Sequence, residues 1–448
     1  MELGDKALKI VNRLVGAGFT ALYAGGSVRD LLLGKPAKDI DIATNATPVE
    51  VQSLFERTVP VGAHFGVVIV LQDGTPFEVA TFRADGEYLD GRRPEGVVFT
   101  DARGDALRRD FTINGLFLDP VTGDVIDHVG GRQDLENGVL RAIGNAAERF
   151  QEDYLRVLRG VRFAAALDLK IDPDTWQGLR SAVSGIGAVS AERIREELVK
   201  IFTASTRVRG LDLLDESGLL AILLPEVVAL KGCEQPPEFH PEGDVFVHTR
   251  IMLGMLGPDV SPALAFGVLL HDIGKPPCFF RDETGRIRFN GHEHVGANMA
   301  EAILRRLKFS NHEIFAAVEM VRNHMAFKDA PNMRTAKLRR FIARETFIEE
   351  LELHRVDCGS SHGSLDIYDF LKTRREEFAN EPIIPPRLLT GADLIALGWK
   401  PGPQFRETLE TAHNLQMEGT LSTREEALAW ARKSGWRHPG VASNTNQT

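Results

Sequence analysis

The sequence YAGGSVRD at residues 23–30, followed nine residues later by Asp39-Ile40-Asp41, is the stretch from which the architecture of this chain follows. Glycine has no Cβ, so Gly25 and Gly26 let backbone N–H groups approach a phosphate closely, and Arg29 adds charged donors. From Ser27 the pattern is helical, which points a helix N-terminus at the glycines, where the helix dipole favours an anion. These residues predict half of a nucleotide site.

The other half is a pair of carboxylates. Asp39 and Asp41 alternate with Ile40 and Ile42, which predicts a short strand from Asp39 to Ala43. Because strand side chains alternate between faces, both carboxylates lie on one side and can together hold Mg²⁺.

Glu78 is a candidate third carboxylate. Two β-rich runs, 66–71 and 77–82, flank Asp73-Gly74, which is a strong hairpin signal and extends the sheet. In the second run Glu78 shares a face with Ala80, so it could lie beside the Asp39 and Asp41 pair. An exposed strand glutamate is the alternative.

The rest of the first 145 residues mixes helices and strands. Helices are predicted over 5–18, 27–33 and 48–55, the last with Thr47 and Glu50 as a capping box, and a strand over 21–24. Residues 84–98 are polar and Gly-rich and predict a mobile loop. Arg109, Asp110 and Asn114 then bring a cation, a carboxylate and an amide into one segment, which suits triphosphate and ribose hydroxyls.

The composition bounds the possible classes of protein. At 448 residues and 43% hydrophobic residues the chain should hold two to four domains with real cores. No membrane-spanning run and no signal-peptide pattern are found, so a cytoplasmic location is expected. The three cysteines are isolated, which indicates neither a disulfide framework nor a thiolate zinc site. The net charge of −10 weighs against a non-specific nucleic-acid binder but leaves room for a local basic groove.

Such a groove is indicated on the helix predicted from Glu148 onward. There Asp153 and Arg156 are i, i+3 neighbours, as are Arg156 and Arg159, so that they share one face, with Arg162 following. A surface ion pair is the simpler explanation of such a pattern. However, an Asp acceptor beside an Arg donor can also address the Watson–Crick edge of a base. The further arginines Arg180, Arg193 and Arg195 are interpreted as parts of solvated helix faces.

A second constellation lies beyond a Pro-rich break at 232–243. His248, His271-Asp272, His292, His294, His324 and Asp357 occur on otherwise apolar helical segments. Imidazole and carboxylate are normal ligands of transition metals, and the order of His248, His271, Asp272 and Asp357 favours a metal site. His312 and His354 are interpreted as structural. A linker is predicted at 381–390, and the residues from Ser422 to Glu425 are predicted to cap a final helix over 425–432.

Taken together, the motifs GGSVRD (25–30) with DID (39–41), RRDFTIN (108–114) and ED-x-x-R (152–156) resemble those of class II CCA-adding tRNA nucleotidyltransferases and bacterial poly(A) polymerases. The segments HPEGD (240–244) with His248-Thr249, and HDIGK (271–275), resemble the HD phosphohydrolase domain. One departure is Gly115, where the family usually has alanine, and it is expected only to loosen local packing.

The resemblance implies an α+β fold, with a small polymerase-β-like mixed-sheet head followed by an all-α remainder that includes an HD domain. The expected domains are a nucleotidyltransferase head (1–145), a helical neck that binds base and RNA (146–230), the HD domain (231–378) and a helical tail that contacts RNA (379–448). The loop at 84–98 would adjust the pocket when specificity changes from C to A.

The resemblance also implies roles for the site residues. Asp39 and Asp41 would hold two Mg²⁺ ions for nucleotidyl transfer, and Glu78, the candidate third carboxylate, is counted with them as catalytic. Gly25, Gly26 and Arg29 would bind the triphosphate, and Arg109, Asp110 and Asn114 the ribose and phosphates. Asp153 and Arg156 would pair with the base, while Arg159 and Arg162 neutralise phosphate. At the HD site, His248, His271, Asp272 and Asp357 would hold Mn, Ni, Co, Fe or Zn.

The function expected from these roles is template-independent addition of CCA to tRNA from CTP and ATP. A poly(A) polymerase, or an enzyme adding only A or only CC, uses the same motifs. CCA addition is favoured because residues 81–85 and 88–94 resemble the loop of CCA-adding members. Two alternatives of other classes are a protein that acts mainly as an HD phosphohydrolase and a non-catalytic RNA-binding protein. The expected oligomeric state is monomer or homodimer.

Overall fold

The computed structural model describes residues 2–62, 66–85, 97–236, 238, 240–379 and 382–434. Its N-terminal part is built on strands β1 (Ala21–Ala24), β2 (Asp41–Thr44), β3 (Thr58–Gly62), β4 (Val67–Gln72), β5 (Thr75–Thr81), β6 (Arg83–Asp85), β7 (Val97–Phe99), β8 (Leu116–Leu118), β9 (Val125–Asp127) and β10 (Val139–Leu140). The helices between them are α1 (Leu3–Gly16), α2 (Gly26–Leu32), α3 (Pro48–Leu54), α4 (Ala102–Leu107), a 3-10 turn (Thr112–Asn114) and α5 (Gly131–Glu136).

Seven of these strands form one mixed sheet in the order β3-β4-β5-β2-β1-β8-β9. Strand β2 is antiparallel to β1 and parallel to β5, so the sheet is mixed as predicted. The predicted hairpin at Asp73-Gly74 is confirmed, because both residues have positive φ (50° and 76°) and Gln72 pairs with Thr75. The predicted capping box of α3, Thr47 with Glu50, is also confirmed.

Helix α1 closes one face of this sheet. Its buried stripe of Ala7, Ile10, Val11 and Leu14 joins a core cluster with residues such as Val68 on β4. Large apolar side chains contribute about 1.5–3 kcal/mol each when fully buried. The packing of α1 therefore stabilises the sheet whose edge carries the site residues. The loop predicted at 84–98 lies mostly outside the described residues, but β6 and β7 at its two ends pair antiparallel.

The remainder is almost entirely helical. It comprises α6 (Ala146–Glu152), α7 (Leu155–Ala166), β11 (Lys170–Ile171), α8 (Pro173–Ala182), a 3-10 helix (Val183–Ala188), α9 (Ala191–Thr203), α10 (Arg207–Ser217), α11 (Leu219–Leu223), α12 (Pro225–Val228), α13 (Val245–Met255), α14 (Pro262–Leu270), α15 (Lys275–Cys278), β12 (Phe280–Arg281), β13 (Ile287–Arg288), α16 (His292–Arg306), α17 (Asn311–Asn323), a 3-10 helix (His324–Asn332), α18 (Thr335–Ile342), α19 (Phe347–Ser360), α20 (Asp366–Phe378), α21 (Gly391–Ala396), α22 (Pro403–Met417) and α23 (Arg424–Lys433). None of the helices in the described ranges is both long and apolar enough to cross a bilayer.

Most of the helices from α6 to α19 share one large core that extends from Phe111 to Val356 across the predicted boundary at 230/231, whereas residues within 327–378 and 389–431 form two smaller cores. Arg207 ties the two sides of that boundary together. Its buried guanidinium donates to the carbonyl oxygens of Phe202 at 3.0 Å and of Leu256 and Gly257 at 2.9 Å, near the C-terminal ends of α9 and α13. A cation there is favoured by both helix dipoles. The predicted breaks at 232–243 and 381–390 do separate helices, whereas the domain boundaries themselves stay a proposal.

Three local predictions were wrong. The helix expected to continue from Glu148 is interrupted at Asp153, whose backbone is extended (φ −144°, ψ 104°) and whose carboxylate accepts from Leu155 N at 3.1 Å to start α7. The strand expected from Asp39 begins at Asp41. The final capping box pairs Thr423 with Glu426, one residue later than predicted.

Gly115 was expected to loosen the local packing, and the structure contradicts this. A Cβ at this position would lie 2.7 Å from Val129 Cγ2 and 3.3 Å from Ile143 Cδ1, so a valine methyl already fills the space. The glycine is therefore part of a tight contact.

Gly115→Ala is expected to lower the free energy of unfolding by about 1–3 kcal/mol, because the added methyl overpacks against Val129. Since the backbone φ of −89° suits alanine, the loss should come from packing alone. Urea denaturation measures it, with Gly4→Ala, in open space on α1, as the control. Adding Val129→Ala should recover part of the loss. A Gly115→Ala protein as stable as the parent chain would contradict this explanation.

Candidate active sites

A pocket of about 540 Å³ lies where the edge of the head sheet meets α7 and α9. It is lined by seven arginines and five aspartates, with glycine, asparagine and two apolar residues between them: Gly25, Gly26, Arg29, Asp30, Asp39, Asp41, Arg108, Arg109, Asp110, Asn114, Asp153, Leu155, Arg156, Arg159, Arg162, Phe163 and Arg193. All the nucleotide-binding residues predicted from the sequence line this one pocket. The excess of arginine suits a ligand that carries several negative charges.

The glycine turn forms one wall. Gly25 has φ +68° and is the N-cap of α2. A Cβ there would lie only 2.7 Å from Arg109 Nη1. The backbone conformation therefore favours glycine, and a larger residue would also displace the Arg109 guanidinium.

The carboxylates lie at the start of β2. Because Ile42 pairs with Val79 in parallel register, Asp41 on β2 and Glu78 on β5 come one residue before that pair. Burial, and then the charges of Glu78 and Asp39, raise the pKa of Asp41 to about 6. Glu78 is exposed and does not line the pocket, although its charge reaches Asp41. Neighbouring carboxylates that raise the pKa of Asp41 fit a hard divalent cation, which would neutralise their repulsion.

The predicted polar residues form a connected network opposite this edge. Arg29 Nη1 donates to Asn114 Oδ1 at 2.7 Å, and Asn114 Nδ2 donates to Asp110 Oδ1 at 3.0 Å. Arg159 Nε in turn donates to Asp110 Oδ2 at 2.8 Å. Burial opposes the charge on Asp110, but Arg159 and Asn114 hold its pKa at about 2. The network fixes the two guanidinium groups before any ligand arrives.

Asp153 and Arg156 both reach the pocket, but from different local structures. Asp153 lies in the extended break between α6 and α7, whereas Arg156 lies in the first turn of α7. Arg156 Nη1 donates to Glu152 Oε2 at 2.5 Å, and its Nη2 donates to the carbonyl of Arg108 at 3.1 Å. The break, rather than a shared helix face, brings the two side chains to one cavity.

Helix α9 supplies residues that sequence reasoning missed. Arg193, expected on a solvated face, lines the pocket, and its Nη2 donates to Asp153 Oδ2 at 2.8 Å. One turn later the buried carboxylate of Glu197 accepts from Arg162 Nε at 2.5 Å. Their i, i+4 spacing was visible in the sequence, but their partners, 40 and 35 positions away, were not.

Two further missed residues support the arginines. Buried Asp105 binds Arg108 at 2.8 Å and Arg109 at 2.9 Å. Phe163 lies under the guanidinium groups of Arg159 and Arg162, whose Cζ atoms are 5.1 and 3.9 Å from the ring centroid. Cation–π contact of this kind holds like charges close together.

The second constellation is also assembled. His248 Nε2 lies 3.1 Å from Asp357 Oδ1, and His271 completes a group whose potential ligand atoms are within 4.8 Å of one another. Burial opposes protonation of His248, but hydrogen bonds with Asp357 and Glu242 raise its pKa to about 9. Three of the four predicted HD residues therefore share one cluster.

The fourth, Asp272, belongs to an adjoining cluster with His292 and His324. His292 Nε2 is 3.1 Å from His324 Nε2 and 3.4 Å from Asp272 Oδ1. Burial lowers the pKa of His324 to about 4, which leaves its imidazole neutral and able to ligate. Both histidines belong to the series singled out in the sequence, but their order along the chain did not assign them to the site.

Buried polar atoms support a metal role for this region. Among the described residues, His271 Nε2 and Asp272 Oδ1 make no well-aligned hydrogen bond, although His271 Nε2 lies 3.0 Å from Asp272 Oδ2. Burial alone would raise the pKa of Asp272, but the charges of His271 and Lys275 hold it well below its usual value. Imidazole nitrogens and carboxylate oxygens in this arrangement fit a divalent transition metal.

His294, His312 and His354 fall outside the clusters. His354 stacks on Phe327 with ring centroids 4.9 Å apart, consistent with the structural role expected for it. His294 and His312 are exposed, and neither belongs to the metal-ligand groups found among the described residues.

Three family models match consecutive parts of the chain. They are described as Poly A polymerase head domain (residues 21–141), Probable RNA and SrmB-binding site of polymerase A (168–230) and HD domain (245–357).

The chain is also similar to characterised proteins along its whole length. It is 31% identical over 432 residues to the CCA-adding enzyme of Streptococcus thermophilus, covering 95% of each chain. It is 46% identical over 208 residues to that of Streptococcus uberis, which is 46% of this chain and 51% of the relative, so this stronger match spans about half the relative's length. The crystal structure of the Bacillus stearothermophilus CCA-adding enzyme in complex with CTP superposes with a TM-score of 0.75 at 27% identity, covering 97% of this chain and 98% of the other.

Proposed function

This chain belongs to the family of CCA-adding enzymes, and on that premise we propose that it adds CCA to the 3′ end of tRNA from CTP and ATP without a nucleic-acid template. One observation carries the proposal: the glycine turn, the Asp39 and Asp41 pair, and the Asp153 and Arg156 pair line a single pocket. This pocket therefore offers groups for the phosphates, the metal and the base of one nucleotide.

Asp39 and Asp41 are proposed to hold two Mg²⁺ ions, with Glu78 as a neighbouring third carboxylate. When bound, Mg²⁺ lowers the charge cost at the α-phosphate and activates the RNA 3′-hydroxyl for in-line attack, with pyrophosphate as the leaving group. The raised pKa of Asp41 supports this assignment, because after desolvation its next causes are the charges of Glu78 and Asp39, which a cation would relieve.

The arginine network is proposed to bind the triphosphate. Gly25 and Gly26 offer backbone N–H groups, and Arg29 and Arg109 offer guanidinium donors on the same side of the pocket. Asp110 and Asn114 orient these donors and address the ribose. Arg159 and Arg162, held by Phe163 and Glu197, neutralise the remaining phosphate charge.

Asp153 and Arg156 are proposed to select the base. A carboxylate accepts from the exocyclic amino group of cytosine or adenine, and a guanidinium donates to the adjacent ring nitrogen. The helical segments 146–230 and 379–448 are proposed to contact tRNA, while 1–145 and 231–378 form the head and the HD domain. A cytoplasmic location and a monomeric or homodimeric state stay predictions.

The direct test uses tRNA that lacks its 3′ CCA, incubated with labelled CTP alone, ATP alone, or both, followed by sequencing of the products. The proposal expects two C additions with CTP alone and a complete CCA with both. Addition of A without C would indicate a poly(A) polymerase or A-adding enzyme instead. Arrest at CC with both nucleotides would indicate a CC-adding enzyme.

A second function is favoured by the buried histidine and aspartate clusters. We propose that residues 231–378 form a metal-dependent phosphohydrolase, with Mn, Ni, Co, Fe or Zn held by His248, His271, Asp272 and Asp357. His292 and His324 extend this ligand set around Asp272. A cavity of about 520 Å³ lies beside the clusters and is lined by Lys275, Arg288 and Lys328, which suits an anionic ester.

His271→Ala separates the two functions. The variant should lose hydrolysis of a chromogenic phosphomonoester or phosphodiester assayed with Mn²⁺, Ni²⁺ or Co²⁺, yet retain CCA addition. If His271→Ala removed both activities from a folded protein, the two sites would not be independent. If the parent chain hydrolysed neither ester with any of these metals, the hydrolase proposal would fail for these two substrate classes.

A further inference from the structure

Glu242 lies in the segment between α12 and α13, before the region that the HD family model matches. Its side chain is only 8% exposed. Oε1 accepts from His248 Nδ1 at 2.7 Å and lies 2.9 Å from His240 Nδ1. Among the described residues its other oxygen, Oε2, is buried without a hydrogen-bond partner. The carboxylate is therefore directed at two imidazole rings.

The ring of His248 is held from both sides. When a metal takes the place of the proton that Nε2 shares with Asp357, the hydrogen bond to Glu242 keeps the other proton on Nδ1 and leaves the Nε2 lone pair for the metal. Nε2 is the nitrogen that points into the cluster, 3.1 Å from Asp357 Oδ1. Ser360 Oγ lies 3.3 Å from Nδ1 and is a weaker, uncharged partner. Glu242 thus determines which nitrogen of His248 is available as a ligand.

His240 is the second ring that Glu242 holds. It lines the cavity beside the metal clusters, and its ring packs edge-on against that of His248 with centroids 5.0 Å apart. One carboxylate therefore connects a cavity wall to a candidate metal ligand. Neither the residue type nor the spacing revealed this link, because the Glu242 segment carries no helical periodicity.

We propose that Glu242 is a positioning residue of the HD metal centre: it fixes His248 as an Nε2 ligand and sets the cavity wall through His240. This inference rests on the proposed metal-dependent function of the HD domain. A carboxylate on the far side of a ligating imidazole orients the ring and raises its basicity, and removal of such a partner typically weakens metal binding 10- to 100-fold.

Glu242→Gln tests the proposal with nearly unchanged shape. The glutamine keeps one acceptor oxygen but loses the charge, and its amide group can present N–H donors to Nδ1, which favours the wrong tautomer. Glu234→Gln is the matched control, because Glu234 lies in the same segment, is 66% exposed and pairs with Arg281 on the surface.

The probe is Co²⁺, whose visible absorption reports the ligand set. Titrations use the full-length chain in an Asp41→Asn background, so that the transferase pocket does not dominate the signal. We expect Glu242→Gln to bind Co²⁺ about 10- to 100-fold more weakly than the background protein, with a shifted absorption band at saturation. Glu234→Gln should change neither property. Thermal unfolding without metal confirms that each variant is folded.

Failure of the proposed metal centre and failure of the proposed role of Glu242 give different results. If the background protein shows no Co²⁺ absorption that His271→Ala removes, the metal centre itself is wrong, and the role of Glu242 is overturned with it. If that absorption is present but Glu242→Gln matches Glu234→Gln in affinity and spectrum, the positioning role alone is overturned. Weaker binding with an unshifted band would also contradict it, because the ligand geometry would then be independent of Glu242.

Discussion

Replacement of Asp41 by asparagine is expected to reduce transfer from both CTP and ATP by about 1,000-fold or more. Loss of a metal ligand removes several kcal/mol of stabilisation of the charge that develops at the α-phosphate, and each 1.36 kcal/mol corresponds to a factor of ten in rate. The measurement is single-turnover extension of a tRNA that lacks its 3′ end, with labelled nucleotide at saturating concentration.

This loss should not arise from unfolding. The folded-state pKa of Asp41, about 6, is above its usual value because of burial and the charges of Glu78 and Asp39. Because Asp41 is exposed to solvent, screening keeps the effect of its charge on stability small, and the neutral asparagine should leave the melting temperature unchanged or slightly higher. Asp73→Asn, in the exposed hairpin turn, is the control and should transfer at the parent rate. An Asp41→Asn rate within tenfold of the parent would exclude Asp41 as a metal ligand.

The features that could be predicted from the sequence are those that depend on residues only a few positions apart. The hairpin at Asp73-Gly74 depends on two residues that tolerate positive φ. The cap of α3 depends on Thr47 and Glu50, three positions apart. The glycine turn is a feature of the same kind, because the conformational freedom that Gly25 needs is a local requirement and does not depend on distant parts of the chain.

The features that did not follow depend on partners far along the chain. Hydropathy periodicity shows which face of α9 is apolar, but it cannot show that Arg193 meets Asp153, 40 residues away. The spacing of Asp153 and Arg156 suggested one helix, whereas the Asp153 carboxylate starts a new helix by capping Leu155 N. Gly115 depends on a methyl of Val129 that only the folded chain brings close.

In the HD region, too, contacts between residues far apart in the chain could not be predicted from the sequence. The order of its histidines and aspartates predicted that these residues act together, and the structure brings them into adjoining groups of potential ligands. The division into three groups, of which two share His248 and the third is built around Asp272, was not visible. That division depends on how α14, α16 and the 3-10 helix at 324–332 cross, which is a property of tertiary packing.

The recognition of the base provides the second large expected effect. Asp153→Asn should raise the incorporation of UTP relative to CTP by about 100-fold. In the parent chain the carboxylate only accepts hydrogen bonds, so it favours the amino group of cytosine and repels the O4 acceptor of uracil. An asparagine amide can instead donate to O4, whereas Arg156 still faces the N3–H donor of uracil, so the change comes from the contact of residue 153 alone; base contacts of this kind discriminate by about 1–3 kcal/mol.

A second variant, at Arg193, tests whether base selection depends on how the Asp153 carboxylate is held. Its guanidinium donates to Asp153 at 2.8 and 3.4 Å, so Arg193→Ala should free the carboxylate to rotate and lower discrimination by about tenfold, a smaller change than that of Asp153→Asn. Arg180→Ala is the matched control, because Arg180 is an exposed arginine that does not line the pocket. Competition between labelled CTP and UTP at the first addition measures all three variants. Unchanged discrimination in Asp153→Asn would place base selection elsewhere, whereas a change in Asp153→Asn alone would mean that Asp153 selects the base without support from α9.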